Sequence, residues 1–440
     1  MTQKSMAVAN NLSLAGIGQP AGVLPAAVGF YFAFRIFTVL LAVRVFGLDQ
    51  QTGTAINLSF DFLLFVAAVF CVEKRGTDFR ELARPASVRW ALAFLAFSCC
   101  SLFWSSTASL PIAVAYWCGM ACDFGAVALL LRARPVIEVA ESLMRGYVWA
   151  ACAGAVIAWI LPAQSDLRLG DEELLGPNGI AYVCALAFLF AQFLMRTRRT
   201  GWKVHAAFLA ITVLRSLSKT TIVALLVSQA FLLVRDTSIR RRTKLLLALA
   251  AALVFVLFSA LLLSYFDIYR STGNESETLT GRLGIWAYFL AEAVQQPWIG
   301  HGFDSVRKVV PPFGPDQFEA AHAHNELLQQ FYAYGVAGVV LMVGVYAAFW
   351  RQITRLTSGP ARTFFLSLLI FGLIRGLADT EWFDLSLPLW AVLLLSAVIE
   401  HLRTSREEQQ PAATVMPGMG LTLSQPQAAL GDGANPCLDH

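Results

Sequence analysis

Charge is what this sequence has least of. Asp, Glu, Lys and Arg make up 14% of its 440 residues, against about 25% in a typical soluble domain. Hydrophobic residues make up 57%, and the mean hydropathy is +0.61. That balance excludes a soluble globular enzyme. It also excludes a chain disordered as its main state, which needs low hydrophobicity and high charge. A cysteine framework is missing as well: seven of the eight Cys lie in or beside apolar stretches and Cys437 sits in a polar tail. No pair-of-pairs spacing points to zinc, and Cys118 and Cys122, one helical turn apart, read as small apolar helix residues. There is no P-loop, no Rossmann glycine fingerprint and no HExxH. No internal repeat is visible, which weakens the case for a transporter built from repeated halves.

What is present is a succession of long apolar runs. A membrane-spanning helix needs about 20 apolar residues, and the chain has room for about a dozen. The patterning predicts spans at 23–46, 54–72, 89–105, 108–131, 141–161, 177–195, 204–217, 219–234, 244–265, 328–350, 362–378 and 384–402. The first run is longer than a signal-peptide core and lacks a cleavage site, so it reads as a retained helix. The expectation is an all-α polytopic membrane protein. Residues 1–22 form an inner N-terminal segment, 23–265 hold nine spans and 266–327 an outer loop region. Residues 328–402 hold three more spans, and 403–440 form a disordered inner tail.

Lys and Arg sort by side. Loops carrying Lys74, Arg75, Arg80, Arg84 and Arg89, then Arg132 and Arg134, alternate with cation-poor DQQTGT and SSTAS. The basic set continues through 196–203, 235–244 and 351–362. The positive-inside rule places the basic loops and both termini in the cytoplasm. A structureless loop as long as 266–327 is uncommon and usually functional. Within it Leu283, Trp286, Leu290 and Val294 recur at helical spacing, predicting an amphipathic helix at the outer interface that Pro297 and Gly300 end. A second short helix is expected to run through EAAHAHNELLQQF into the tenth span.

A few cations lie on the outer side, against that rule. Arg215 and Lys219 fall at the junction of spans seven and eight, one turn apart and so expected on one helix face. Arg282 opens the amphipathic helix, and Arg375 lies near the outer end of span eleven. Ionisable groups at membrane depth are costly and mark function, and cations beside a helix N-terminus suit a polyanion such as a diphosphate. The alternative is pairing with acids such as Asp379 or Glu381. Inside the spans Arg35, Asp61 and Asp123 are expected to pair with one another between helices.

His324 opens HNELLQQFYAYGVAG where the outer loop meets span ten. Histidine is the side chain suited to taking a proton near neutral pH. Asn325 adds a hydrogen-bonding amide, and Gly335 and Gly338 are expected to share a helix face that permits close approach. His322 and His301 lie on the same side. A metal held by His301, His322 and His324 is disfavoured by the strand-like spacing of His322 and His324 and by the absence of Cys from that loop.

The motif of His-Asn, nine residues, then Gly-x-x-Gly resembles that of the bacterial O-antigen ligases. LTGRLGIWAYFLAEAVQQPWIGHGF, LSKTTIVALL and GPNGIA (containing Asn178) resemble further segments of that family, with Lys219 where Arg is usual. The resemblance covers roughly residues 175–385. It implies a C-type glycosyltransferase fold (GT-C-like) with about twelve spans, in the bacterial inner membrane, its active site facing the periplasm. It further implies a glycan donor on undecaprenyl diphosphate and a sugar hydroxyl of lipid A core as acceptor. The transfer would be inverting and metal-independent, with no cofactor and no nucleic-acid partner. In that reading His324 is the general base, and Arg215, Lys219, Arg282 and Arg375 bind the diphosphate. Asn325, His322, Asn178, Asp379 and Glu381 support them. An O-antigen polymerase or a protein O-oligosaccharyltransferase of the same fold is the nearest alternative, and a lipid-glycan transporter a more distant one.

Overall fold

The computed structural model describes residues 22–72, 78–164, 167–171, 173–197, 201–271, 279–307, 309 and 322–409. Among them the chain is all helical apart from an isolated bridge between Asp171 and Leu175. The order is α1 (Val23–Arg44), α2 (Gln50–Phe70), α3 (Phe79–Leu82), α4 (Ala86–Cys100) with a 3-10 turn after it (Ser101–Trp104), α5 (Leu110–Ala133), α6 (Val136–Ile160) and α7 (Pro177–Thr197). Then come α8 (Trp202–Arg215), α9 (Lys219–Arg235), α10 (Arg241–Ser271), α11 (Leu279–Ala293), α12 (Glu326–Thr354), α13 (Pro360–Gly376) and α14 (Leu389–Gln409).

Every expected span falls on a helix. Seven of these stretches, α1, α2, α4 with its 3-10 turn, α5, α6, α7 and α12, are long and apolar enough to cross a membrane. α8, with 14 residues, is short of the length that crosses a bilayer, and α9 and α13, with 17 each, lie at its lower limit. The outer surface is apolar: Phe62, Leu63 and Phe70 on α2, Trp149 and Ile160 on α6, and Leu246 and Leu257 on α10 are exposed. Such apolar cover suits lipid rather than water.

α14 lies at the centre. From Leu389 to Leu395 every side chain is buried, as expected of a helix apolar all round. It runs to Gln409, past the expected boundary at 402, while residues 1–21 and 410–440, which hold most of the expected terminal segments, lie outside the described residues. α1 and α6 cross closely because Gly29 lies against the Leu143 carbonyl and Gly146 against that of Ala26, the small-residue approach common between membrane helices. The buried pairing expected inside the spans is Arg35 Nη1 to Asp123 Oδ2 at 2.6 Å.

Three local expectations change. Arg215 and Lys219 do not share a helix. Leu217, at φ 56°, sits in a turn that ends α8 and starts α9. The second outer helix does not cover the histidines either. His322–Asn325 are non-helical and α12 starts at Glu326, with Asn325 as its N-cap accepting from the Leu328 N–H; the expected residues up to 321 lie outside the described set. Gly335 is not on a continuous helix face. It adopts φ 63°, ψ −158° inside α12 and breaks it.

The break is filled by backbone. Val336 N–H donates to Pro297 O at 2.7 Å and Ala337 N–H to Trp298 O. In return His301 N–H donates to Tyr332 O and Gly302 N–H to Ala333 O at 2.7 Å. The 297–302 turn thus satisfies the backbone groups that the interrupted helix leaves unpaired. A Cβ on Gly335 would strike the backbone of Pro297–Ile299, and one on Gly300 that of Ala333 and Tyr334. Gly335→Ala and Gly300→Ala should each destabilise the chain by about 1–3 kcal/mol. Gly284→Ala, on α11 with open space around it, should be neutral. Melting temperatures of the detergent-solubilised chain test this, and an unchanged value for Gly335→Ala counts against the break.

Candidate active site

The non-helical segment His322–Asn325 and the loop 377–381 after α13 meet at one end of the bundle. Asn325 ties them together: its side chain caps α12 and its Nδ2 donates to Leu377 O at 2.9 Å. Gln329, one turn later, donates to the carbonyls of Glu381 and Trp382. His324 is held at φ 49°, a left-handed conformation that costs a non-glycine residue of order 1–3 kcal/mol and clusters at functional sites.

Asp379 is the hub. Its Oδ1 lies 3.6 Å from His322 Nε2 and 3.5 Å from His324 Nδ1, and its Oδ2 lies 3.4 Å from Arg375 Nη2. Arg375 Nη2 also meets Glu381 Oε1 at 2.8 Å. The guanidinium lies over the Tyr182 ring at 3.9 Å. Arg375 and Asp379 are each 2% exposed. Arg375 therefore stands among carboxylates, the pairing that competed in the sequence with diphosphate binding.

Burial works to raise the Asp379 carboxyl, but Arg375 and the two imidazoles hold it well below the usual carboxylate range. Burial lowers His324 to about 4, helped by His322 and Arg282 and opposed by Asp379. At neutral pH the site thus presents a neutral imidazole against a charged carboxylate. With Nδ1 turned to Asp379, Nε2 of His324 is the nitrogen left to take a proton, the arrangement a carboxylate-oriented base requires.

Cations flank this pair. Arg282, on α11, donates from Nη1 to Ala378 O at 2.8 Å and lies 3.4 Å from Thr220 Oγ1. Thr220 follows Lys219, the first residue of α9, so the α9 N-terminus stands beside Arg282. Its N-cap, Ser218, makes no side-chain capping bond; the hydroxyl donates instead to Asn178 Oδ1, which also accepts from Arg168. A helix start without a side-chain cap and with adjacent cations suits an anion by charge and by the direction of its N–H groups. Arg215 is turned to Leu167 O at 2.7 Å.

α11 packs on the bundle by one face and leaves the expected apolar stripe open. Ile285, Phe289 and Ala293 are buried, while Leu283, Leu290 and Val294 of the expected stripe are exposed. Trp286 Nε1 reaches Ala323 O at 2.9 Å and holds the histidine segment from that side. His301 lies elsewhere, stacked on Tyr332 with its Nε2 3.1 Å from Glu292 O. The candidate metal donors are instead His322, His324 and Asp379, whose ligand atoms lie within 4.8 Å of one another. Arg375 shares the carboxylate and Arg282 adds positive charge nearby, which disfavours a divalent cation at that spot.

Glu326 went unremarked in the sequence. Its buried carboxylate accepts from Tyr346 Oη at 2.8 Å and from Ser386 N–H at 2.7 Å, and it lies against Gly376. It locks the end of α13 that carries Arg375. An acid opening a long apolar helix was the available signal.

Residues 204–343 match the family described as O-antigen ligase. The chain is 29% identical over 350 residues to an O-antigen ligase of Pseudomonas aeruginosa, covering 73% of this chain and 81% of that one. It is 25% identical over 357 residues to the exopolysaccharide production protein ExoQ of Rhizobium meliloti, covering 74% and 78%. The family match includes Lys219, Arg282, His322 and His324, while Asp379 and Arg375 lie beyond it.

The low value for His324 has a stability consequence. Between about 4 and 6.5 the unfolded chain binds a proton that the folded chain refuses, so stability falls as pH drops through that window. The slope from this one group is at most about 1.4 kcal/mol per pH unit. His324→Gln should flatten the melting-temperature profile there by that share. An identical profile in both proteins would refute a neutral His324.

Proposed function

We propose that this chain, a member of the O-antigen ligase family, is a glycosyltransferase whose active site faces the periplasm. It moves a glycan from undecaprenyl diphosphate to a sugar hydroxyl of lipid A core. The observation that carries the reading is the alignment of His324 and Asp379 beside Arg282 and the α9 N-terminus.

His324 Nε2 takes the proton of the acceptor hydroxyl as its oxygen attacks the anomeric carbon of the donor sugar. The carbon–oxygen bond to the diphosphate breaks, and its electron pair leaves with the diphosphate. Attack opposite the leaving group inverts the anomeric centre. Asp379 keeps the His324 tautomer fixed and stabilises the imidazolium that forms, as carboxylates do for catalytic histidines. Arg282, Lys219 and the first-turn N–H groups of α9 face the growing charge on the diphosphate. Fixed donors of this kind stabilise a leaving group without reorganising, so the step needs no metal. Arg215 closes α8 across the Leu217 turn from Lys219, with its guanidinium on Leu167 O, and adds positive charge on that side. Arg375, Glu381 and Glu326 position Asp379, and Asn325, His322 and Asn178 hold the backbone and the second imidazole in place.

Polymer extension is the second reading, supported by the likeness to a protein named for exopolysaccharide production. It uses the same donor and the same base, with a lipid-linked glycan as acceptor.

Reconstitution with undecaprenyl-diphosphate glycan and rough lipopolysaccharide, with chelator present, separates these readings. Product on lipid A core supports the ligase, longer lipid-linked polymer supports the polymerase, and dependence on added metal overturns the metal-free step. His324→Ala should lower transfer by at least about 10²-fold while the chain remains folded in membranes. Asp379→Asn should lower kcat more than it changes KM for the donor, and Arg282→Ala should raise that KM as well. Full transfer by His324→Ala removes the core of the proposal.

A further inference from the structure

The end of α12 opposite the histidines holds a second concentration of charge. By helix rise, Arg351 lies on the order of 35 Å from Glu326. A cavity of about 430 Å³ opens there between the start of α4 and the ends of α12 and α14. Arg84, Arg89, Arg351, Arg355 and Arg403 line it, with Glu400 as its one carboxylate. Arg403 occupies Glu400, with Nη2 to Oε1 at 2.6 Å and Nε to Oε2 at 3.3 Å. Among the described residues no ion pair engages Arg84, Arg89, Arg351 or Arg355.

Topology accounts for cations on this side of the chain, but not for their convergence on one cavity from separate helices. The cavity also has an apolar wall. Trp90 packs its ring on Gly344, and Ala347 and Ala348 complete the surface. From Arg351 a stripe at helical spacing continues through Ala347 to Val343 and Val340, both exposed. The guanidinium layer therefore passes directly into a lipid-facing apolar track. A free phosphate would use only the first of these features, whereas an amphiphile uses both.

We propose that this cavity binds the phosphodiester headgroup of an anionic membrane phospholipid, with an acyl chain along the Ala347–Val340 stripe. Basic pockets between membrane helices recognise such headgroups by charge, and Arg adds directed hydrogen bonds to phosphate oxygens. The site is remote from the transfer chemistry and stands whether or not the proposed ligase reading holds.

The full chain, purified in detergent and given equal phosphatidylglycerol and phosphatidylcholine, is read by native mass spectrometry for retained lipid. The wild type should prefer phosphatidylglycerol by at least about tenfold. Combined Arg89→Gln, Arg351→Gln and Arg355→Gln should erase the preference. Combined Arg240→Gln, Arg241→Gln and Arg242→Gln, with the same change in charge, should keep it. Should the first variant fail to fold by circular dichroism, Arg355→Gln alone should still reduce the preference several-fold. Displacement of the lipid by millimolar inorganic phosphate would assign the cavity to soluble phosphate and overturn the lipid assignment. Equal retention by the pocket variant and the wild type, or equal loss in both triple variants, overturns the site itself.

Discussion

At Asp379 one buried carboxylate faces two imidazoles and a guanidinium, and this end of the bundle is arranged around keeping it charged. A carboxylate out of water reverts to its neutral form unless opposite charge and hydrogen bonds compensate. Arg375 supplies the charge, stacked over Tyr182 and braced by Glu381. Glu326 in turn holds the end of α13 from which Arg375 projects. The consequence appears at His324, which burial keeps neutral with its Nδ1 3.5 Å from that carboxylate.

A second constraint sets where that carboxylate and that imidazole meet. The nine residues between Asn325 and Gly335 amount to about two and a half helical turns, bounded by a side-chain cap at one end and a glycine break at the other. Into the break the 297–302 turn inserts its own backbone groups. The turn follows α11, so Arg282 and Trp286 reach the site on a helix anchored to α12 by main-chain bonds. The motif spacing is thus a measure of length between two backbone events. Its glycines serve the break and the tight approach around it more than smooth helix packing.

Much of this was legible in the chain itself. The apolar runs marked twelve of the fourteen helices among the described residues, because burial in lipid or core demands the same side chains over a whole helix. His324, Arg282 and Lys219 stood out because each is a polar group where the surrounding pattern is apolar. The pairing of Arg375 with Asp379 and Glu381 was visible as one of two alternatives. The Leu217 turn was not visible, since a leucine at positive φ leaves no compositional mark. Nor was the buried face of α11, where both stripes are apolar and hydropathy cannot rank one against the other.

What the sequence by itself determined is an all-helical chain of apolar segments with a few cations and one histidine motif set against that pattern, because hydropathy and charge are properties each residue carries alone. Which nitrogen of His324 faces Asp379, which helix start stands beside Arg282, and which carbonyls Arg282 and Asn325 find in the 377–378 loop were decided only by the tertiary structure. Those relations join residues dozens of positions apart through directional contacts. Hydrogen bonds and ion pairs depend on distance and angle, and neither is written in a linear pattern.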